Sequence, residues 1–223
     1  VLKTPDEIEA ALNADTAVRM LTHVNYRSGR MHDMARLTEK AHAVGALVVW
    51  DLAHSAGAVP VDLTAAGADM AVGCGYKYLN GGPGAPAFIM VAGRHLARFS
   101  QPLSGWLGHA DPFAFSVDYR PAAGIGRALC GTPAVLNMTA LECGLDVMLE
   151  ADPGAMRAKS LALTDLFIAE VEARGAGRGL SLLTPREHHL RGSQVSFAHA
   201  EGYAIMQALI ARGVIGDFRA PDI

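Results

Sequence analysis

The sequence predicts an α/β fold in which a mostly parallel sheet is covered on both faces. Three observations predict it. Apolar runs of strand length recur at residues 17–24 (AVRMLTHV), 46–52 (ALVVWDL), 68–74 (ADMAVGC) and 87–91 (AFIMV). Helical segments separate the strands, which implies βαβ units. Two charged side chains, Asp51 and Lys77, stand at the ends of two of these strands, and ligands of open α/β sheets bind beyond the carboxyl ends of the strands.

Each element carries its own signal. Residues 4–12 read as a short helix, with Thr4 as its cap, Pro5 in the first turn and Asp6, Glu7 and Glu9 at the positive helix end. Residues 17–24 are a buried strand and 25–29 a loop. Residues 31–44 form an amphipathic helix with Met31, Met34, Leu37, Ala41 and Val44 on one stripe, ended by Gly45. The strands at 46–52, 68–74 and 87–91 follow. Residues 101–130 are irregular and rich in Gly, Pro and aromatics, and loops of that length inside compact domains are usually functional. A helix runs from Pro133 to about residue 150, and Asp152-Pro153 opens another that reaches about residue 174. Residues 181–183 and 194–198 read as strands, 201–212 as a helix and 213–217 as a last strand. A boundary near residue 150 divides the chain into 1–150 and a smaller α/β region, 151–223. There is no internal repeat.

Bulk properties narrow the function. With 223 residues, 51% of them apolar, the chain can bury a sizeable core. Its 22 acidic and 19 basic residues give a formal charge of -3, which argues against general binding of nucleic acid or anionic membranes. The three cysteines, Cys74, Cys130 and Cys143, form no C-x-x-C pair and point to a reducing, cytoplasmic compartment. No apolar run approaches the roughly 18 residues that a membrane span requires. Residues 1–5 do not read as a signal peptide. The chain opens on Val1 rather than methionine, so the expectation is a processed, truncated or partial piece of something longer. The nine histidines include His188-His189 but show no H-E-x-x-H or Cys/His ligand spacing, so no metal site is expected.

The chemistry lies between Trp50 and Pro86. Asp51 and Lys77, at two strand ends, can face one ligand. Pyridoxal phosphate catalysis needs such a pair: a lysine amine to bond the aldehyde and a carboxylate to keep the pyridine nitrogen protonated. An amine among apolar groups loses its proton more easily and becomes a better nucleophile and base. Taken singly, each residue also fits a plainer role. Asp51 fits a turn or helix cap, Lys77 a solvated side chain and His54 a packed or capping histidine, while the run Gly81-Gly82-Pro83-Gly84 alone marks a sharp turn.

The stretch WDLAHSAGAVPVDL (50–63) followed by GYKYLNGGPG (75–84) resembles the cofactor-binding core of kynureninase, a fold-type I pyridoxal phosphate enzyme. The likeness continues through LSGWLGH (103–109), LCGT (129–132), ECGLDV (142–147), KSLALTDLFI (159–168), TPREH (184–188) and GVIGDFR (213–219), nearly the whole chain. The resemblance implies an aspartate-aminotransferase-like large domain, of which residues 1–150 are part, followed by a linking helix and the start of a small C-terminal domain in 151–223. It implies pyridoxal 5'-phosphate as cofactor, with Lys77 as the Schiff-base lysine, Asp51 on the pyridine nitrogen and His54 beside the cofactor. Tyr76 matches a tyrosine that touches the phosphate and takes part in proton transfer, and Thr22 a position that approaches the ring. Trp106 and Thr132 match phosphate-side contacts that reach across from the second subunit of a homodimer. On the residues alone, Trp106 also fits core packing and Thr132 a helix cap.

The implied reaction is hydrolysis of L-kynurenine, or its 3-hydroxy form, to anthranilate (or 3-hydroxyanthranilate) and L-alanine, in tryptophan catabolism and NAD biosynthesis. In the family an earlier segment supplies the aromatic that stacks on the ring, and a later one the arginine that grips the substrate carboxylate. Both are expected to lie outside this chain, with nothing in DFRAPDI (217–223) replacing that arginine. Two other readings stay open: a different fold-type I enzyme, such as a cysteine desulfurase or class V aminotransferase, and a non-catalytic fragment. A desulfurase needs a reactive cysteine on a mobile loop. Cys74 is expected in a strand and Cys143 in a helix, whereas Cys130 lies in the irregular stretch.

Overall fold

A computed structural model describes residues 5–223. Thr4, the expected cap of the first helix, lies outside the described residues. A short helix, α1 (Pro5–Ala10), precedes strand β1 (Val18–Thr22), helix α2 (Met34–Ala43) and strands β2 (Leu47–Asp51), β3 (Met70–Cys74) and β4 (Ala87–Val91). Two long helices, α3 (Val135–Leu149) and α4 (Pro153–Gly175), lead to a two-stranded ribbon, β5 (Ser181–Leu182) with β6 (Phe197–Ala198), and to α5 (Gly202–Ile210).

The four long strands form one sheet in the order β1-β2-β3-β4. β1 and β2 pair in parallel, as do β2 and β3, while β4 runs antiparallel to β3. The sheet is therefore mostly parallel, with an antiparallel edge. Only the β1–β2 crossover carries a helix, α2; turns join β2 to β3.

Strand period decides what each face holds, because successive side chains point to opposite sides. Val48, Trp50 and Ala71 are fully buried on one face, and α2 lays Met34, Leu37 and Ala41 in the same core. Trp50 Nε1 donates to Thr38 Oγ1 of α2 at 3.0 Å, so its polar edge is satisfied inside the core. The helix begins three residues later than the apolar stripe suggests. Asp33 caps it by accepting from the Arg36 N–H at 3.0 Å, and Met31 instead forms a β-bridge with Val24.

The opposite face departs from the expectation of cover on both sides. Val18 and Met20 are 53% and 61% exposed there. The continuous apolar strands predicted a second layer, but among the described residues this face stays partly open. Residues 213–217 form no strand either.

The amino ends of the strands are tied together by Asp69. Its buried carboxylate accepts from the Val48 N–H at 2.8 Å, from Arg94 Nη2 at 2.6 Å, and meets His42 at 2.8 Å and His95 at 2.6 Å. These partners hold its carboxyl far below the usual range despite burial. α2, β2 and the turn after β4 thus converge on one charge.

The later region is fastened to the sheet by backbone bonds. The Met31 N–H donates to the Leu190 carbonyl and the Gly192 N–H to the Gly29 carbonyl, both at 2.8 Å. Asp152 caps α4 by accepting from the Ala155 N–H at 2.6 Å. From α4, the Arg157 guanidinium donates to the carbonyls of His188, Arg191 and Gly192. Arg191, fully buried, pairs with Asp165 of the same helix.

His23, at the carboxyl end of β1, packs edge-on against Trp50 with ring centroids 6.0 Å apart, and its Nδ1 has no hydrogen-bond partner among the described residues. Burial, and then the neighbouring His32, lower its pKa to about 4. Unfolding lets this imidazole take up a proton that the folded state refuses, so stability rises with pH between about 4 and the ordinary histidine value of 6.5. Urea titrations across that window are expected to show the rise in wild type and a shallower slope in His23→Phe. Equal slopes would mean that His23 does not carry the effect.

Candidate active site

The site is assembled at the carboxyl ends of the three parallel strands. Register pairs Thr22 of β1 with Asp51 of β2, and Asp51 with Val72 of β3. Asp51 Oδ1 accepts from the Ala53 N–H at 2.8 Å and starts the turn after β2. Asp51 therefore does serve as a turn residue, yet no hydrogen bond among the described residues takes Oδ2. Thr22 Oγ1 donates to the Val24 carbonyl at 2.8 Å.

Lys77 lies three residues past the end of β3, on a loop whose shape is fixed by its own backbone. The Gly75 N–H donates to the Pro86 carbonyl at 3.0 Å, Gly81 to Gly75 at 2.9 Å and Asn80 to Lys77 at 3.0 Å. Lys77 Nζ sits 5.1 Å from the centroid of the half-exposed Tyr76 ring. Close approaches clamp this loop from two sides. A Cβ on Gly57, whose φ is +83°, would lie 2.7 Å from the Tyr78 carbonyl oxygen. One on Gly144 of α3 would lie 2.8 Å from the Asn80 carbonyl. Asn137 of α3 also donates to the Gly84 carbonyl at 2.8 Å.

His54 links the two loops electrostatically. Burial lowers its pKa first, the Lys77 charge adds to that, and the Asp51 charge opposes it. Its ring faces Tyr26 at 6.4 Å, tilted by 31°. The Arg219 guanidinium in turn lies 5.8 Å from the Tyr26 centroid, over the ring. The strand-end pattern pointed to Asp51 and Lys77, and the family resemblance to His54. Tyr26 and Arg219 were missed: both sit in loops, 193 positions apart (219 − 26), with no periodicity to relate them.

Trp106 and Thr132 fall in a second cluster. Gly105 abuts Cys130 so closely that a Cβ there would meet the Cys130 carbonyl oxygen at 1.5 Å, and Trp106 Nε1 lies 4.0 Å from the position of a Cβ on Gly131. Trp106 stacks edge-on with Phe113 at 5.8 Å and lines a cavity of about 460 Å³ with His109, Phe115 and Tyr119. It is half exposed rather than packed in a core. Thr132 is not the cap of α3, a position held by Ala134 without a side-chain bond. Among the described residues, neither makes a hydrogen bond or ring contact with Asp51, His54 or Lys77. Cys130 Sγ is held by the Leu103 carbonyl at 2.9 Å. No group of three or more His, Cys, Asp or Glu among the described residues is placed to hold a metal ion, and no helix there is long and apolar enough to cross a membrane.

A kynureninase of Burkholderia mallei is 60% identical to this chain across all 223 residues, and one of Pseudomonas fluorescens is 58% identical over the same span. The chain is similar to kynureninases along its whole length. It spans about half the length of these relatives, 54% in each case. Residues 156–223 also match the family described as "Kynureninase C-terminal domain". Among solved structures, a cysteine desulfurase of Thermococcus onnurineus superposes with a TM-score of 0.75 at 22% identity, covering 94% of this chain and 50% of that one. An alanine–glyoxylate aminotransferase of Nostoc superposes at 0.69 with 20% identity, covering 98% and 57%. A variant of C-DES with glycine covalently linked to its PLP cofactor reaches 0.79 at 18% identity, covering 97% and 57%. The fold is thus the α/β fold of fold-type I enzymes.

The Gly57–Tyr78 approach yields a stability prediction. Gly57→Ala places a methyl against a backbone carbonyl at positive φ and is expected to cost about 1–3 kcal/mol. Thermal denaturation should show a Tm several degrees lower; an unchanged Tm would mean that the two loops are not clamped there.

Proposed function

We propose that this chain belongs to a pyridoxal phosphate-dependent kynureninase, which hydrolyses the Cβ–Cγ bond of L-kynurenine or 3-hydroxykynurenine to give anthranilate or 3-hydroxyanthranilate and L-alanine. One observation carries the reading: Asp51 closes β2 between Thr22 of β1 and Val72 of β3, and Lys77 follows the end of β3 by three residues, in a chain 60% identical to a kynureninase from end to end. The residues fit the cofactor by their chemistry. An amine, a carboxylate with one unengaged oxygen and an imidazole gather where three parallel strands end.

When bound, pyridoxal phosphate supplies an electron sink for a carbanion at the substrate's Cα. Lys77 Nζ would hold the cofactor's aldehyde group and, when free, would serve as the base at the substrate's Cα. Asp51 would pair with the pyridine nitrogen and favour its protonated form, because an opposite charge favours the charged form. Burial and then Lys77 lower the His54 pKa, which favours the neutral imidazole, and His54 would contact the cofactor as a hydrogen-bonding group. Tyr76, whose ring lies beneath Lys77 Nζ, delivers a proton to Cβ as the bond to the carbonyl carbon breaks and water completes the acid. Thr22 lines the ring side.

The proposal extends to assembly and context. Trp106 and Thr132 serve the phosphate of a second copy in a homodimer, consistent with the half-exposed Trp106 and with the exposed Phe113, Phe115, Val117 and Leu136. Residues 1–150 belong to the large domain, and 151–223 to a linking helix and the small domain. The cytoplasm and tryptophan catabolism leading to NAD are the setting.

Two experiments test this. With pyridoxal phosphate added, the protein should show an absorbance band that borohydride fixes on Lys77, located by peptide mapping. Lys77→Ala should lack the band, and label on another lysine would contradict the assignment. Supplied with kynurenine and, separately, with cysteine, the longer protein carrying these residues should release anthranilate and no sulfide. Asp51→Ala is expected to slow that turnover by about 10²–10⁴-fold; sulfide release would favour a desulfurase instead.

A further inference from the structure

No hydrogen bond among the described residues holds either nitrogen of the His54 ring. The last torsion of a histidine side chain is broad and roughly two-fold, so an imidazole without such a bond needs a packed neighbour to hold its plane. The neighbour here is Tyr26, whose ring lies 6.4 Å away and is tilted by 31°, within the range of an offset aromatic pair. Tyr26 is itself held from two sides by the region after α4. Gln194 Nε2 donates to its backbone carbonyl at 2.6 Å, and the Arg219 guanidinium lies over its ring, 5.8 Å from the centroid. Arg219 is steadied in turn. Its N–H donates to the Ile223 carbonyl, its carbonyl accepts from the Ile223 N–H, and its Nη2 pairs with Asp217 Oδ2 at 2.5 Å.

We propose that Tyr26, clamped by Gln194 and Arg219, is a positioning residue that sets the orientation of the His54 imidazole. This rests on the function proposed above, in which His54 contacts the cofactor. A tyrosine ring is a rigid plate on two torsions, so fixing its backbone and one face fixes what it offers to its neighbour. Both clamping residues come from the later part of the chain, so that part reaches the site through Tyr26 without touching the lysine. The clamp also brings a second cation towards the imidazole. Burial, the strongest influence, and then Lys77 lower the His54 pKa, Asp51 raises it, and Arg219 lowers it further. Tyr26 thus seats the charge that helps keep His54 a neutral hydrogen-bonding group.

The test begins with the His54 titration in the cofactor-free protein, followed by NMR of labelled histidine and assigned with His54→Ala. Arg219→Gln should raise the midpoint, because a cation is removed, and Tyr26→Leu should raise it too, because the seat of that cation is lost. Tyr26→Phe keeps the ring and should leave the midpoint in place. Arg219→Gln changes an exposed side chain and serves where Tyr26→Leu does not fold. Pyridoxal phosphate affinity is then read by absorbance titration, with borohydride labelling of Lys77. Tyr26→Leu should weaken it about twofold to tenfold, the worth of an aromatic pair, and Tyr26→Phe should restore it. In a His54→Ala background the same Tyr26→Leu change should cost nothing, because Tyr26 acts through His54. A midpoint unmoved in these variants, or an affinity loss that persists in the His54→Ala background, would overturn the inference and leave the assignment of Lys77 intact. Absence of label in the wild-type protein would overturn the cofactor assignment instead, and the midpoints, read without cofactor, would still decide the role of Tyr26.

Discussion

The parallel register of β1, β2 and β3 is the constraint on which the rest of this structure depends. It sets Thr22 beside Asp51 and Asp51 beside Val72. Because side chains alternate along a strand, the same register turns Trp50 into the core and Asp51 to the other face. A slip of one residue would exchange them, burying a carboxylate at a cost in desolvation and exposing an indole. The Trp50–Thr38 bond and the Asp69 hub guard against that slip. One fixes the buried side of β2 to α2, and the other fixes the start of β2 to β3.

Position along the strands then becomes position in the site through two loops that touch. Gly57 brings the turn after Asp51 against the backbone at Tyr78, and Gly144 lets α3 lie directly on Asn80. Lys77 is held between them by backbone contact rather than by its own side chain. A lysine so placed has a fixed root and a free tip, which suits a group that must hold a ligand, release it and act again on the same molecule.

Much of this was legible in the sequence, and the limits are physical. The strand runs at 46–52, 68–74 and 87–91 were plain because buried parallel strands read as near-continuous apolar stretches. The same property misled at the sheet's second face: an apolar run implies burial on both sides, yet Val18 and Met20 lie open. The start of α2 was misplaced because Met31 continues the apolar spacing, whereas the capping carboxylate of Asp33 decides where the helix begins. Asp51, His54 and Lys77 could be found from strand ends and family likeness. Tyr26 and Arg219 could not, since a ring contact between two loops leaves no trace in local spacing. Trp106 and Thr132 came from the family likeness, and the structure sets the loops of Gly105 and Cys130 side by side.

The open face of the sheet has a consequence for how the protein behaves in a tube. β1 forms one border of the sheet, with Val18 and Met20 turned outward and Ile89 exposed across the same surface. Oily surface beside a strand border is adhesive: it draws fluorescent hydrophobic probes, favours association as concentration rises and invites edge-to-edge growth.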